Sequence, residues 1–259
     1  MGILNITPDS FSDGGRHWKM EDALDHTQRM INDGADIIDI GGESTRPFAQ
    51  PVSEKEELER VIPVIEAIRA LSDIPLSIDT YKSVIARQAI KAGADIVNDI
   101  SGLTFDASMA RVISDSGASV IIMHIKGTPL TMQTDPDYDD VVSEVMQFLR
   151  KQVEYAVKAG IDANRIIIDP GIGFGKRVED NLRILKHLRK FRSLGKPVLV
   201  GTSMKSFIGK LTEFPVEERM EGTLASEAIA LMNGADILRV HDVRKAVKVL
   251  KVTKAVMDA

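Results

Sequence analysis

The 259-residue chain contains no cysteine, which excludes a disulfide scaffold, a thiolate metal centre and a cysteine nucleophile. It also lacks any excess of positive charge: 33 Lys and Arg against 38 Asp and Glu leave a formal net charge of −5. There is no global field to gather nucleic acid or anionic lipid, so an anionic ligand must be held by a local site. No apolar run approaches the roughly 18 residues of a membrane span, and the N-terminus lacks the basic start and apolar run of a signal peptide. These absences predict a cytoplasmic protein with no nucleic-acid partner and no membrane partner. Aromatic residues are few, at 5%, but 44% hydrophobic and 27% charged residues are the balance of a folded chain rather than a disordered one.

Eight short runs rich in Ile and Val, at 3–6, 36–41, 76–80, 95–100, 119–124, 166–169, 197–202 and 236–240, alternate with longer stretches of helical spacing. Four runs share one entry pattern: Asp33-Gly34-Ala35-Asp36-Ile37, Ala92-Gly93-Ala94-Asp95-Ile96, Ser116-Gly117-Ala118-Ser119-Val120 and Asn233-Gly234-Ala235-Asp236-Ile237. Glycine suits the residue that ends a helix in the left-handed conformation, so the pattern predicts a helix, a tight turn and a strand, four times over. Gly160 and Gly195 fit looser versions before the sixth and seventh runs.

Strands that are apolar throughout and alternate with helices predict a parallel sheet covered on both faces. The expected fold is α/β, a single (β/α)8 TIM barrel domain spanning residues 1–259. An open doubly wound sheet is the alternative, and the absence of a dinucleotide fingerprint counts against it. Three long loops follow the first, second and fifth strands, at 7–20, 42–53 and 127–138. In a barrel they lie at the end where chemistry is done.

Polar residues collect at every strand end. The first ends near Asn5, the second at Asp39 and Gly42-Glu43-Ser44-Thr45-Arg46-Pro47, the third at Asp79-Thr80 and the fourth at Asn98-Asp99. The fifth ends at His124, the sixth at Asp169-Pro170, the seventh at 202–206, and the eighth at Arg239, His241 and Asp242. Arg239 and His241 are two apart, which puts both on one strand face and predicts a paired anion site. A single strand-end Asp is as often a helix cap, and a single His as often structural, but eight of eight strand ends argue for a site.

The run Gly171-Ile172-Gly173-Phe174-Gly175-Lys176 lacks the spacing and the Ser or Thr of a phosphate loop. Its glycines instead allow a planar ligand to approach the backbone, with Phe174 available to stack. Asp39, Asp79, Asp169, His124 and His241 could surround a metal, yet no H-x-H or H-E-x-x-H pattern occurs, so a protein-caged catalytic metal is not expected. His17, His26 and His187 read as surface residues.

Taken together, segments 2–15, 41–47, 77–80, 98–100, 123–124, 169–176, 203–206 and 239–242 resemble the dihydropteroate synthase family of the pterin-binding barrels, in the family's order and along essentially the whole chain. The resemblance implies condensation of 6-hydroxymethyl-7,8-dihydropterin diphosphate with 4-aminobenzoate, giving 7,8-dihydropteroate and pyrophosphate. It implies that Asp169 accepts the adjacent N–H and amino groups of the pterin, as a carboxylate would a guanidinium. Asp79 and Asn98 would read other ring edges, Lys205 would bond ring heteroatoms, and Met123 and Phe174 would supply apolar walls.

By the same resemblance Asn5, Arg46, Arg239 and His241 bind the diphosphate, and Mg2+ arrives with that substrate, with Asn5 as its one protein ligand. Phe11, Thr45, Pro47, Phe174 and Ser206 shape the aminobenzoate pocket. The family's displacement is dissociative, so it needs no strong base but does need water kept out by closing loops. Asp13 would order the loop after the first strand, and Lys205, Arg239 and His241 complete the catalytic set. A homodimer through helices of the C-terminal half is implied as well.

Two positions depart from the family pattern. Met204 stands where the family carries Arg, and Phe48 stands where a small residue, often Gly, is expected beside the aminobenzoate pocket. Phe48 is expected to tighten that pocket or alter sulfonamide affinity. The alternatives are a methyltetrahydrofolate corrinoid methyltransferase, which would need no diphosphate site, and a noncatalytic pterin-binding barrel.

Overall fold

The computed structural model describes residues 1–6, 16–134 and 136–259, and side chains from residue 20 onward in the first helix. Phe11, Asp13 and most of the loop after the first strand lie outside the described residues.

Eight strands run in parallel: β1 (Gly2–Asn5), β2 (Ile38–Gly41), β3 (Leu76–Asp79), β4 (Ile96–Asp99), β5 (Ser119–Met123), β6 (Ile166–Asp169), β7 (Leu199–Val200) and β8 (Ile237–Leu238). Between them lie α1 (Arg16–Asn32), α2 (Glu54–Leu71), α3 (Ser83–Ala92), α4 (Met109–Ser116), α5 (Val141–Lys158), α6 (Val178–Lys186), then α7 (Ser206–Thr212) and α8 (Met220–Met232) together, and finally α9 (Val243–Met257). None of these helices is long and apolar enough to cross a membrane.

Strands β1 to β6 form one continuous ladder, and β7 pairs with β8. Single parallel bridges, Ile168 with Val198 and Gly2 with Val240, join the two pieces into a closed barrel. At the second seam Ile3 N–H donates to Val240 O and Val240 N–H to Met1 O, both at 3.0 Å. Thus every predicted strand forms, though most are shorter than their apolar runs. Pro197 has no N–H to donate, which leaves β7 only two ladder residues. The predicted loop 7–20 is shorter too, because α1 already begins at Arg16. The turn glycines Gly34, Gly93, Gly117 and Gly234 have φ of +98°, +117°, +70° and +100°, as the helix-ending pattern requires.

The period of two in a strand decides what faces the barrel interior. Outward residues such as Leu4, Ile38, Ile40, Ile78, Val97, Val120, Ile122, Ile168 and Val200 pack against the helices in one large core. Inward, Met1, Ile37, Ile96, Ile121, Ile167, Leu199 and Ile237 form an apolar plug at the bottom. Two residues further along the same faces come Asp39, Asn98, Met123, Asp169 and Arg239, with Asn5 and Asp79 at the ends of β1 and β3. One alternation therefore makes both the apolar floor and the polar layer above it.

Candidate functional site

The polar layer is organised around Arg239. Its Nε donates to Asp39 Oδ2 at 2.6 Å and its Nη2 to Asp79 Oδ2 at 2.7 Å, while Asn98 Nδ2 donates to the same Asp39 oxygen at 3.2 Å. The second oxygen of each aspartate, Oδ1, is buried without a hydrogen-bond partner among the described residues. Burial pushes the Asp79 carboxyl up to about 7, against the pull of Arg239. Arg239 is thus the counter-ion of two carboxylates, a role that its place in a paired anion site does not announce. Those partners lie 200 and 160 residues away and meet it only through barrel closure.

On the opposite flank, Asp169 is buried, and its Oδ1 accepts the Gly171 N–H at 2.7 Å. Burial raises its pKa, with Lys205, Lys176 and Arg239 working the other way. Lys205 donates to Ile172 O and holds its Nζ 4.5 Å from the Phe174 ring centre. Burial lowers its pKa to about 8, with Arg239 adding to the effect. Met123 packs with Ile100, Ile125 and Met132, and Tyr81 and Phe174 lie against that cluster. Asp169, Lys205, Met123 and Phe174 are thus neighbours.

His241 stands at the rim, with Nδ1 3.0 Å from Ser203 Oγ. Desolvation lowers its pKa to about 4, and Arg239, Arg46, Lys205 and His26 add positive fields. The ring is neutral at pH 7. Because its proton is held less tightly than in an exposed imidazole, His241 withdraws stability as pH falls from about 6.5 to about 4. An anion placed among the same cations should reverse that shift. Inorganic pyrophosphate is expected to raise the His241 pKa toward 6.5, read by NMR titration of the ring; no change would remove His241 from the anion site.

The other predicted residues are spread around this centre. Asn5 is half-buried at the end of β1, and a side chain on Gly41 would fill the gap between Asn5 Oδ1 and Asp79. Arg46 and Pro47 are exposed and Thr45 half-buried on the loop after β2, while Ser206 is exposed at the start of α7. No hydrogen bond among the described residues ties Thr45, Pro47 or Ser206 to Phe174. Three strand-end groups serve structure instead. Asp99 accepts from the Ser101 and Leu103 backbones, Asp242 caps α9, and His124 turns away to meet Lys176 at 2.9 Å. His26 and His187 are half-buried rather than at the surface, and the His17 side chain lies outside those described.

Sequence reasoning missed how the loop at 42–53 is held. Glu43 Oε2 accepts from Val52 N–H at 2.8 Å and from Lys82 Nζ at 2.6 Å. Lys82 also donates to Glu57 Oε2 and to Val52 O, both at 2.6 Å, and Tyr81 OH donates to Glu43. The network closes the neck of the loop that presents Thr45, Arg46 and Pro47. The partners of Tyr81 and Lys82 in it lie 25 to 39 residues away, too far for any spacing rule to link them.

At the two departures from the family pattern, the backbone is left-handed: φ is +66° at Phe48 and +59° at Met204. Phe48 is 63% exposed and its N–H donates to Pro129 O at 3.0 Å, linking the loops after β2 and β5. Met204 takes its N–H bond from α8, donating to Thr223 Oγ1 at 3.0 Å.

Residues 1–241 match the family described as pterin binding enzyme. The chain belongs to the pterin-binding enzyme family. Among its relatives, the dihydropteroate synthase of Synechocystis sp. is 51% identical over 98% of this chain and 89% of its own length. The Yersinia pestis dihydropteroate synthase in a sulfonamide drug complex superposes with a TM-score of 0.94 at 44% identity, covering 100% of this chain and 94% of its own. The Xanthomonas albilineans dihydropteroate synthase in complex with 7,8-dihydropteroate gives 0.90 at 44% identity, over 100% and 93%.

Proposed function

We propose that residues 1–259 act as one domain with dihydropteroate synthase activity, a transferase joining the methylene carbon of 6-hydroxymethyl-7,8-dihydropterin diphosphate to the amine of 4-aminobenzoate. The observation that carries the reading is Asp169. One of its oxygens is fixed by Gly171 and the other makes no hydrogen bond among the described residues, and the apolar cluster of Met123 and Phe174 stands beside it. A pterin offers paired N–H donors and a flat ring, which match an aimed carboxylate between apolar walls. Asp79 and Asn98 then face other ring edges, and Lys205 exchanges Ile172 O for a ring heteroatom.

Arg239, Arg46 and His241 would receive the diphosphate, with Arg239 using the Nη1 that its two aspartates leave over. Donors fixed before reaction stabilise the charge that grows on the departing pyrophosphate. The C–O bond breaks, the pterin ring delocalises the positive charge, and the neutral amine attacks and loses one proton. Thr45, Pro47, Ser206 and Phe174, with Phe11, would border the aminobenzoate, while Asp13 orders the loop that excludes water.

Mg2+ fits as a passenger on the diphosphate. Among the described residues no three His, Asp or Glu gather to cage a metal, but Asn5 Oδ1 lies 3.6 Å from where a Cβ on Gly41 would stand, facing Asp79. That single neutral oxygen suits an ion that keeps most of its water and phosphate ligands. Bound there, Mg2+ would neutralise leaving-group charge.

The test supplies dihydropterin diphosphate, 4-aminobenzoate and Mg2+ together and singly. Equal amounts of pyrophosphate and dihydropteroate, formed only when both substrates are present, are expected. Binding without either product would leave a noncatalytic barrel.

Phe48 bears on inhibitors of this reaction. Losing its ring is expected to weaken inhibition of Phe48→Gly by a sulfonamide about fivefold, a loss of about 1 kcal/mol of apolar contact. The same change should raise stability slightly, because glycine adopts a φ of +66° freely. Equal inhibition of both proteins would separate Phe48 from the pocket.

We also propose a homodimer and a cytoplasmic setting. Exposed Leu211, Phe214, Ile229, Met232, Val252 and Val256 give α7 to α9 an apolar surface that a second copy would cover. Light scattering should return twice the 28.4 kDa chain mass, and a monomer at micromolar concentration would reject the dimer.

A further inference from the structure

The segment from Gly171 to Gly175 has a donor for each of its five carbonyls. Gly171 O accepts from Phe174 N–H at 3.1 Å, Ile172 O from Lys205, and Gly173 O from Gln133 Nε2 at 3.0 Å. Phe174 O accepts from Lys176 Nζ at 3.1 Å and Gly175 O from Tyr138 OH at 2.6 Å. The segment lies flat on the end of β5: a Cβ on Gly171 would overlap the His124 carbonyl oxygen, and one on Gly175 would overlap that of Lys126.

Of the side-chain donors, Lys176 is the most deeply buried, with 3% of its surface exposed against 8% for Tyr138. Its Nζ lies 2.9 Å from His124 Nδ1, 3.3 Å from His124 O and 3.1 Å from Phe174 O. Burial and the Lys176 charge push the His124 pKa down to about 2, so the imidazole is neutral. As an ammonium, Lys176 donates to both carbonyls and to Nδ1, which puts the ring proton on Nε2. The ring itself is wedged edge-on against Phe148 with centres 4.9 Å apart.

An amine here is a costly way to fill space. It makes no bond to a carboxylate; burial drives its pKa well below the usual lysine range, and Asp169 and Asp180 favour its charge only through their fields. Methionine would occupy a similar volume without desolvating a cation. What the amine alone supplies is a three-way tie between the end of β5, which carries Met123, and the segment that carries Phe174 and aims Asp169 through Gly171.

We infer that Lys176 is a positioning residue of the pterin pocket, fixing the Asp169 carboxylate and the Phe174 wall against β5. This rests on the proposed function. Losing such a support is expected to raise the KM for dihydropterin diphosphate about tenfold or more in Lys176→Met. The KM for aminobenzoate should rise less, by about threefold at most, since Phe174 alone of that pocket sits on the tied segment while Thr45, Pro47 and Ser206 lie on other loops.

Hydrogen exchange of the amides at 171–175 should accelerate in the same variant. His124→Asn, which returns an acceptor oxygen near the Nδ1 position, should behave like wild type, and His124→Leu like Lys176→Met. Unchanged KM values in folded Lys176→Met, equal rises for both substrates, or equal impairment of His124→Asn and His124→Leu would each overturn the assignment. If Lys176→Met does not fold, the two His124 variants decide by the same readings. If the wild type makes no dihydropteroate, the proposed function fails, and the exchange comparison alone then judges the tie.

Discussion

Arg239→Met is expected to lower stability by about 3–5 kcal/mol near neutral pH, the usual cost of stranding buried charge. Asp39 is fully buried and Asp79 nearly so, and each spends one oxygen on this guanidinium while the other has no partner among the described residues. The deficit should depend on pH. The Asp79 pKa is raised to about 7 from the ordinary 3.8 of an exposed aspartate, so the folded protein binds this proton more tightly than the unfolded chain does. Stability from this group is fully present below about 3.8 and is lost as pH rises through about 7. Removing Arg239 removes a field that lowers that pKa, so Asp79 should stay protonated to higher pH in the variant. Urea unfolding at pH 5 and pH 8 should therefore give the smaller deficit at pH 5. Equal deficits would mean that Asp79 is not the group left uncompensated. Arg239→Lys should recover only part of the loss, because an ammonium cannot reach both aspartates with a rigid fork. Among folded variants, affinity for dihydropterin diphosphate should fall further than affinity for the pterin without diphosphate.

This double role of Arg239 marks where the sequence stops being informative. Its place on an inward strand face follows from local alternation, as do the places of Asp79, Asn98 and Asp169, because side-chain direction in a strand is a property of two neighbouring residues. The glycine turns before β2, β4, β5 and β8 are equally local, and with the apolar runs they lead to the barrel. Pairing across the barrel is not local. Nothing in the spacing says that the residue after β8 will neutralise carboxylates on β2 and β3 rather than wait for an anion. Lys176 is a sharper case: in the sequence it is the last residue of a failed phosphate-loop pattern, and only packing of the glycine segment on β5 buries its amine. Asp99 and Asp242 go the other way. Both stand at strand ends like the site carboxylates, yet the backbone N–H groups beside them claim their oxygens, so they cap turns and helices. The roles carried over by resemblance add what geometry cannot name, the particular ring edges and the diphosphate.

Asp169→Asn isolates the contact on which the functional reading depends. The amide can keep its oxygen on the Gly171 N–H, so the backbone of the glycine segment need not move. The other position becomes an NH2 group facing the paired N–H donors of the pterin, where two attractive contacts turn into donor against donor. Pterin affinity should weaken by about 1.5–3 kcal/mol, which is about 10- to 150-fold in Kd. Stability should change far less, because the substitution removes a buried charge whose pKa burial already raises. Lys205 should respond as well: Asp169 favours its ammonium, so loss of that carboxylate should move the Lys205 pKa below its value of about 8. Calorimetric titration with a pterin lacking the diphosphate separates these effects from anion binding. Full affinity in Asp169→Asn would mean that the ring is read elsewhere. A loss accompanied by an unchanged response to inorganic pyrophosphate would divide the site into a ring end at Asp169 and an anion end at Arg239 and His241, the division that a reaction breaking the bond between ring and diphosphate requires.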